Sequence, residues 1–174
     1  TYSEFKQQKR QNIILDEVDE FLNDGFKNII LIGYSAGGWA SLNLVSRFPN
    51  KFKGAIAINP AFAGPKREWE ADFPEWGFFR EEQINIFKQN NSLNGILFSH
   101  NKDEFEDPKT LSFFKSFKSL EFIDYSQLEP TTCDWADVDK KMSKSDGHSI
   151  PQSSCFTNFI EKNNYFIKYL ESRF

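Results

Sequence analysis

Residues 28–38 have the sequence NIILIGYSAGG, which gives the strongest indication of the fold. Its branched apolar residues predict a buried strand, and the residues that follow it have the periodicity of a helix. Between them, Gly33, Ser35 and Gly37 fit the pattern G-x-S-x-G, in which a serine sits on a sharp strand-to-helix turn. Such a turn is crowded, so its neighbours must be small. We therefore expect Gly33, Gly37 and Gly38 to clear space around an accessible Ser35 hydroxyl.

Four short apolar runs predict the strands of the fold. These runs are residues 28–33, 54–59, 95–100 and 120–125. Helical periodicity is found before the first run, between the first and second runs (40–48), between the third and fourth (111–117), and as a single closing helix (156–170). Strands that alternate with helices predict an α/β fold, with a mostly parallel sheet of about four strands flanked by helices.

The length of 174 residues predicts one domain, residues 1–174, with one unusually long connection at 60–94. We interpret this connection as a partly helical cap or lid, and the alternative is a surface excursion with its own aromatic cluster. Its aromatic side chains, together with one beside the serine, are candidates to line a substrate pocket, although aromatic clusters also hold lids shut. The candidates are Tyr34, Trp69, Phe73, Trp76, Phe78 and Phe79.

Composition excludes several classes of function. The net charge of −4, from 21 basic and 25 acidic side chains without long runs of one sign, gives no footprint for nucleic acid. No segment approaches the ~20 apolar residues that span a bilayer. The two histidines lie in unrelated loops, which offers no metal-ligand spacing, and we expect no metal or cofactor. The oligomeric state stays open.

Two cysteines, Cys133 and Cys155, lie in and beside a late polar loop. They permit one disulfide bond or two separate thiols, and the sequence does not choose between these. The compartment therefore stays open, with a periplasmic or secreted location favoured over a cytoplasmic one.

A serine hydroxyl needs a base to take its proton, and the chain offers only His100 and His148. His100 ends the third predicted strand, where a structural place is expected. His148 lies in SKSDGHSIP, between the last strand and the last helix. A loop histidine is usually just solvated, but this position favours His148 as the base.

The base needs an acid that fixes its tautomer. We choose Asp103, in the turn after the third strand. The alternatives left open are Glu104, Glu106, Asp107, Asp124 and Asp146. Ser35, Asp103 and His148 follow three strands of a predicted parallel sheet, so they should meet at its carboxyl edge. The helix that starts at Ala36 would direct the Ala36 N–H at a developing oxyanion.

Rival readings of the serine turn are weaker. An ordinary turn fits the pentapeptide alone. The loop lacks the G-K-[ST] ending of a nucleotide P-loop and the G-x-G-x-x-G of a dinucleotide site, which disfavours phosphate binding.

With these residues identified, the sequence resembles the α/β-hydrolase superfamily. The resemblance is carried by GYSAGGWASLNLVSRFPNKFKGAIAINPAF, by GILFSHNKDEFEDP and by DGHSI, in the order Ser, Asp, His. It implies a serine hydrolase that cleaves a small-molecule carboxylic ester, less often an amide or thioester, through an acyl-enzyme and a Ser-His-Asp triad.

The sequence departs from that family at its front. Family members carry several strands before the serine turn, and a second oxyanion donor comes from a loop after one of them. We expect either an upstream piece or a shortened sheet. The alternatives are a non-catalytic binding or scaffold protein that keeps the sheet, and a thiol hydrolase that uses Cys133 or Cys155 with His148.

Overall fold

The computed structural model describes residues 2–90, 92–134 and 146–173, without the side chains of residues 2–5, 66 and 69. The strands are β1 (Ile30–Tyr34), β2 (Gly54–Ile58), β3 (Gly95–Ser99) and β4 (Leu120–Asp124). The helices are α1 (Tyr2–Asn23), α2 (Ala36–Arg47), α3 (Lys66–Ala71), α4 (Glu75–Gln89), α5 (Ser154–Asn163) and α6 (Tyr165–Glu171). Short 3₁₀ segments cover Ser112–Ser116, Pro130–Thr132 and Gly147–Gln152.

The four strands form one parallel sheet in the order β1-β2-β3-β4, which confirms the fold class predicted from the sequence. In register, Gly33 lies opposite Ala57, which in turn lies opposite Leu97. Because every strand points the same way, the segments that follow β1, β3 and β4 all leave from one edge of the sheet. β1 is one of the two edge strands of the described sheet, and its Ile32 is 61% exposed.

Alternate strand residues pack against two helical layers. One layer comes from α1, α2 and α4 and includes Trp39, which is fully buried. The other comes from α5 and α6 and packs against Ile56, Ile96 and Phe98. Burial on both faces explains why the two central strands, β2 and β3, are apolar almost throughout rather than alternating. Among the described helices, none has the length and apolar character needed to cross a bilayer.

Two helix predictions are corrected by the structure. The predicted closing helix over 156–170 is two helices, because Asn164 adopts a left-handed conformation (φ 53°, ψ 32°) and its N–H caps α5. The helix predicted around 111–117 is only the 3₁₀ segment Ser112–Ser116. Phe113 and Phe114 are adjacent in sequence, yet both pack in the same cluster, which a regular amphipathic helix does not allow.

The long connection at 60–94 has two halves. Helix α4 belongs to the core, where Ile84 and Phe87 are buried against Trp39, so it serves as the crossover between β2 and β3. The first half stays close to the serine turn, since the N–H of Ala61 donates to the carbonyl of Ser35 (3.0 Å). The assignment of the whole connection as a cap stays a prediction.

Candidate active site

Ser35 lies on the turn between β1 and α2 and has a strained backbone (φ 55°, ψ −126°). Its N–H donates to the carbonyl of Ile58 (3.0 Å), and its carbonyl accepts from the N–H groups of Trp39 (3.1 Å) and Ala61 (3.0 Å). A left-handed serine costs about 1–3 kcal/mol and persists only when its surroundings hold it. These three hydrogen bonds hold it and leave the side chain half-buried.

Three glycines were expected to clear space around Ser35, and a side chain would be least tolerated at Gly33. A Cβ on Gly33 would lie 2.3 Å from the backbone C and O of Gly37, where the strand and the helix cross. A Cβ on Gly38 would lie 3.0 Å from the carbonyl O of Gly33. A Cβ on Gly37 would meet nothing within 4 Å, so the expectation that Gly37 clears space is wrong. Gly37 takes part in the close contact only through its backbone atoms, and a side chain at Gly37 would point away from Gly33 into open space.

Ser35, His148 and Asp103 form one hydrogen-bonded chain. The Oγ of Ser35 lies 2.9 Å from Nε2 of His148, and Nδ1 of His148 lies 2.8 Å from Oδ2 of Asp103. The Asp103 side chain is completely buried, and that of His148 is 8% exposed. A carboxylate accepts the Nδ1–H, which leaves Nε2 as the acceptor for the serine hydroxyl. The arrangement can therefore withdraw the Ser35 proton, and the catalytic roles stay predictions.

The second oxygen of Asp103 is fixed by its own turn. Oδ1 accepts from the N–H groups of Phe105 (2.8 Å) and Glu106 (3.3 Å). The ring of Phe105 stacks on that of His148, with centroids 4.1 Å apart. One short turn thus supplies both the carboxylate partner of His148 and the apolar cover of its ring.

The loop that carries His148 is held by hydrogen bonds to its backbone. Its carbonyl accepts from the Tyr34 hydroxyl (2.7 Å) and from Nδ2 of Asn59 (3.1 Å). The same Nδ2 donates to the carbonyl of Gly147 (3.0 Å), and Oδ1 of Asn59 accepts from the Tyr125 hydroxyl (2.8 Å). Asn59 is completely buried at the end of β2, with φ 42°. Its role is not evident from the sequence, where only the Asn-Pro pair after a strand marks a special backbone position.

Tyr34 was a candidate for substrate binding, and the structure places its ring 5.1 Å from that of His148. Burial raises the pKa of Tyr34 to about 12, although a hydrogen bond from Gln152 lowers it. Tyr34 is therefore protonated at neutral pH and acts as a hydrogen-bond donor to the His148 loop rather than as a base.

The other acids considered in the Asp103 turn have different partners. Glu104 forms an exposed ion pair with Arg67 (3.1 Å). Glu106 is buried and paired with Arg80, whose Nε and second nitrogen lie 2.5 and 2.7 Å from its two oxygens. Oδ1 of Asp107 accepts from the N–H groups of residues 109 and 110, so it caps the next turn.

The two more distant acids are also engaged locally. Asp124 accepts from the N–H and hydroxyl of Ser126. Asp146 accepts from the backbone N–H of His148 (2.9 Å), and burial raises the pKa of Asp146, partly offset by that hydrogen bond. Of the six acids considered, Asp103 is the one whose carboxylate is hydrogen-bonded to the His148 ring.

The remaining candidates for chemistry are occupied elsewhere. His100 is completely buried, with Nε2 2.8 Å from the carbonyl of Leu128 and Nδ1 accepting from the N–H of Lys102 (3.0 Å). Cys133 and Cys155 form a disulfide bond, so neither carries the thiol that a cysteine nucleophile needs. Within the described ranges, no three His, Cys, Asp or Glu side chains are grouped so that they could hold a metal ion.

A cavity of about 180 Å³ opens beside the serine turn. Ala36 forms part of its wall, and the Ala36 N–H lies in the first turn of α2, where backbone N–H groups have no acceptor within the helix. The other lining residues are Lys6, Gln7, Arg10, Phe62, Ala63, Gly64 and Trp76. Sequence reasoning missed those on α1, because nothing in a helix before the first strand indicates that it reaches the serine.

The aromatic residues predicted to line a pocket do not all lie at the cavity. Trp76 lines the cavity, and Phe73 stacks on it with centroids 4.5 Å apart. Phe78 is 74% exposed and lies outside the cavity wall, and Phe79 packs against the core. Trp69 falls on a side chain outside the described part of the chain.

No protein-family model matches the sequence, and no curated protein matches it either. Solved structures do match, at low identity. The naproxen esterase (carboxylesterase NP) of Bacillus subtilis is 16% identical with a TM-score of 0.54, over 92% of this chain and 66% of the esterase. An esterase of Pyrococcus furiosus is 16% identical with a TM-score of 0.54, over 92% and 61% of the two chains. The chain has the α/β-hydrolase fold.

The Paleococcus ferrophilus monoacylglycerol lipase is also similar, at 13% identity and a TM-score of 0.47, over 68% of this chain and 65% of the lipase. The chain spans just under two thirds of the length of each of these three proteins. On this α/β-hydrolase fold, Ser35 follows β1, Asp103 follows β3 and His148 follows β4, so the candidate site lies at the carboxyl edge of the sheet.

Proposed function

We propose that the chain is a serine hydrolase that cleaves a carboxylic ester through an acyl-enzyme. The observation that carries this proposal is the hydrogen-bonded chain from Ser35 through His148 to Asp103, with donor–acceptor distances of 2.9 and 2.8 Å. The strained Ser35 turn and the Ala36 N–H beside the cavity support it. The esterases among the similar structures favour esters over amides and thioesters.

The proposed reaction assigns a role to each of these groups. Ser35 Oγ attacks the ester carbonyl carbon while its proton passes to Nε2 of His148, and the Asp103 carboxylate stabilises the resulting imidazolium. The carbonyl oxygen becomes an oxyanion that accepts a hydrogen bond from the Ala36 N–H. His148 then gives its proton to the leaving alkoxide, which departs as the alcohol. Water, deprotonated by His148, attacks the acyl-enzyme, and the carboxylic acid leaves as Ser35 regains its proton.

The cavity size limits the substrate. Pockets for drug-sized ligands occupy roughly 300–1,000 Å³, whereas this cavity holds about 180 Å³. We therefore propose short acyl esters as substrates. In a series of 4-nitrophenyl esters of increasing acyl length, kcat/KM should fall from the butyrate to the dodecanoate.

Labelling with a fluorophosphonate probe tests the nucleophile. Folded wild-type protein should gain one phosphonyl adduct, located at Ser35 by peptide mass spectrometry, while Ser35→Ala and heat-unfolded protein should gain none. A known serine hydrolase labelled in parallel checks the probe. Unlabelled folded protein beside a labelled control would overturn the proposal.

The acid has its own test. Asp103→Asn should lower kcat by about 10³–10⁴, because an amide favours the wrong tautomer of His148. Asp107→Asn is the matched control, since its Oδ1 can still accept from the same backbone N–H groups. Equal losses in the two variants would contradict the role of Asp103.

The scaffold alternative requires a serine out of reach of the histidine or shielded from substrate. The 2.9 Å separation and the half-buried Ser35 favour the hydrolase instead.

A further inference from the structure

The cavity beside Ser35 combines an apolar wall with basic side chains. Ala36, Phe62 and Trp76 supply apolar surface, whereas Lys6 and Arg10 approach from one face of α1. No acidic side chain lines the cavity in the part of the chain that the structure describes. A substrate group bound in this cavity therefore lies near basic side chains.

Arg10 is the basic residue of the cavity wall on which the inference rests. Its side chain is half-buried, and within the described ranges it makes no ion pair or hydrogen bond, in contrast to Arg67 and Arg80, which both pair with glutamates. A guanidinium presents several N–H donors in a fixed plane that matches a carboxylate.

Other basic side chains lie close to Arg10 on α1. Lys6 and Arg10 also border a shallow neighbouring groove with Lys9, so three basic residues lie within about one helical turn of a chain whose net charge is −4. The Glu68 carboxylate lies beside Gly64 without lining the cavity. In the part of the chain that the structure describes, Arg10 is thus the cavity-lining cation without an acidic partner, and it favours an anion.

We propose that the substrates are short esters that carry a negatively charged group, and that Arg10 selects them by binding that group while Ser35 attacks the ester. This inference rests on the proposed hydrolase function. The apolar wall accommodates a short hydrocarbon segment between the ester and the charge, and its low polarity strengthens the contact between Arg10 and the anion.

A matched pair of substrates tests the selection. 4-Nitrophenyl valerate and mono-4-nitrophenyl glutarate have acyl groups of equal carbon number, and they differ in a terminal methyl or carboxylate. Spontaneous hydrolysis, measured without protein, is subtracted from each rate. Wild-type protein should give about tenfold higher kcat/KM for the glutarate, because one charge-assisted hydrogen bond is worth about that factor.

Variants assign the effect to Arg10. Arg10→Gln should lower the glutarate-to-valerate ratio by about tenfold. Lys9→Gln is the control, since it removes the same charge from the same turn of α1 but does not line the cavity, and its ratio should stay that of wild type. A wild-type ratio near one with Ser35-dependent hydrolysis of both esters would overturn the inference and leave the hydrolase function standing. An equal drop in Arg10→Gln and Lys9→Gln would also overturn it, by showing only a general charge effect.

A binding measurement separates this inference from turnover. Monomethyl glutarate is titrated into Ser35→Ala protein by calorimetry, with methyl valerate as the neutral comparison. Monomethyl glutarate should bind more tightly, and the added Arg10→Gln change should weaken its binding about tenfold. Binding that is independent of Arg10 would overturn the inference even where no ester is hydrolysed, and the loss of hydrolysis alone would overturn only the proposed function.

Discussion

At the scale of single residues, unusual backbone conformations and close backbone contacts set the geometry of the candidate site and bring its three polar side chains together. Ser35 is delivered by a left-handed turn, Asn59 holds the His148 loop from another unusual conformation, and Gly147 lies where a Cβ would come within 2.2 Å of the ring of His100. Each of these positions brings two segments closer than ordinary side chains allow. The reactive geometry is therefore a consequence of close backbone packing.

Gly33 and Gly37 give a matched test of that packing. Gly33→Ala should lower the free energy of unfolding by about 3 kcal/mol, because its Cβ would overlap the backbone of Gly37. Gly37→Ala should raise it by about 0.5 kcal/mol, since alanine is favoured over glycine in a helix and its Cβ meets open space. Urea denaturation of both variants measures the difference. Similar midpoints would show that the strand and helix can separate at no cost.

His100 predicts a pH dependence of stability. Burial lowers the pKa of His100, although the Leu128 carbonyl and nearby carboxylates raise it, and its Nδ1 accepts from a backbone N–H only when unprotonated. The unfolded chain, with a histidine pKa of about 6.5, therefore binds more protons than the folded one. The contribution of His100 to stability is fully present above pH ~6.5 and should fall as the pH drops below it, by at most about 1.4 kcal/mol per pH unit.

The control for this effect is His100→Gln, whose amide does not titrate. Urea denaturation from about pH 7.5 to about pH 5.5 should show a smaller loss of stability in the variant than in wild type. Parallel pH profiles for the two proteins would assign the loss to other groups.

At the scale of elements, the turn after β3 contacts both the candidate site and helix α4 of the 60–94 connection. Arg80 on α4 holds Glu106, and the same turn provides the Asp103 carboxylate and the Phe105 ring that contact His148. Burial raises the pKa of Glu106, while Arg80 lowers it by hydrogen bonding and by its charge. Arg80 thus binds a buried carboxylate three residues from Asp103 and offsets part of the effect of its burial, and we regard Arg80 as a positioning residue.

Arg80→Gln should lower the free energy of unfolding by about 3–5 kcal/mol, because it leaves Glu106 buried without its partner. Under conditions where the variant is folded, kcat should fall about tenfold or more with little change in KM, since misplacement of Asp103 affects the chemical step. Arg67→Gln is the control, because its exposed pair with Glu104 is worth at most about 1 kcal/mol.

The added change Glu106→Gln should return part of the stability and of kcat to Arg80→Gln, since it removes the unpaired charge. A variant that loses stability but keeps the wild-type kcat would show that Arg80 is structural only. Ester hydrolysis and urea denaturation on the same samples decide between these results.

The elements were predictable wherever one periodicity dominates. All four strands were found within two residues of their bounds. In β2 and β3, residues buried on two faces leave continuous apolar runs. The helix break at Asn164 was not predictable, because a single asparagine within a helical pattern gives no distinctive signal. Nor was the packing of α4 in the core, because its sequence is rich in charges and its buried residues, Ile84 and Phe87, are few.

At the scale of the whole molecule, topology made the site readable from the sequence. A parallel sheet sends every strand end to one edge, so the order serine, acid, histidine along four strands already indicated a meeting point. The sequence favoured Asp103 but left Glu104 and Glu106 open, because the turn geometry that separates these three side chains is not encoded in residue types. The basic side of the cavity depended on how α1 packs, a contact between segments that sequence periodicity does not report.

The disulfide bond joins Cys133 to Cys155, two residues that are distant in sequence, and so closes the segment that carries His148 into a loop. The double variant Cys133→Ser/Cys155→Ser should lower the free energy of unfolding by about 3 kcal/mol, because a closed loop of this size restricts the unfolded chain. Activity of the folded variant should change less than tenfold, since Asn59 and Asp103 still hold His148. Urea denaturation with and without reductant measures the effect, and reductant should lower the wild-type midpoint to that of the double variant while leaving the variant unchanged. A wild-type midpoint that does not respond to complete reduction would show that non-covalent contacts alone restrain the segment.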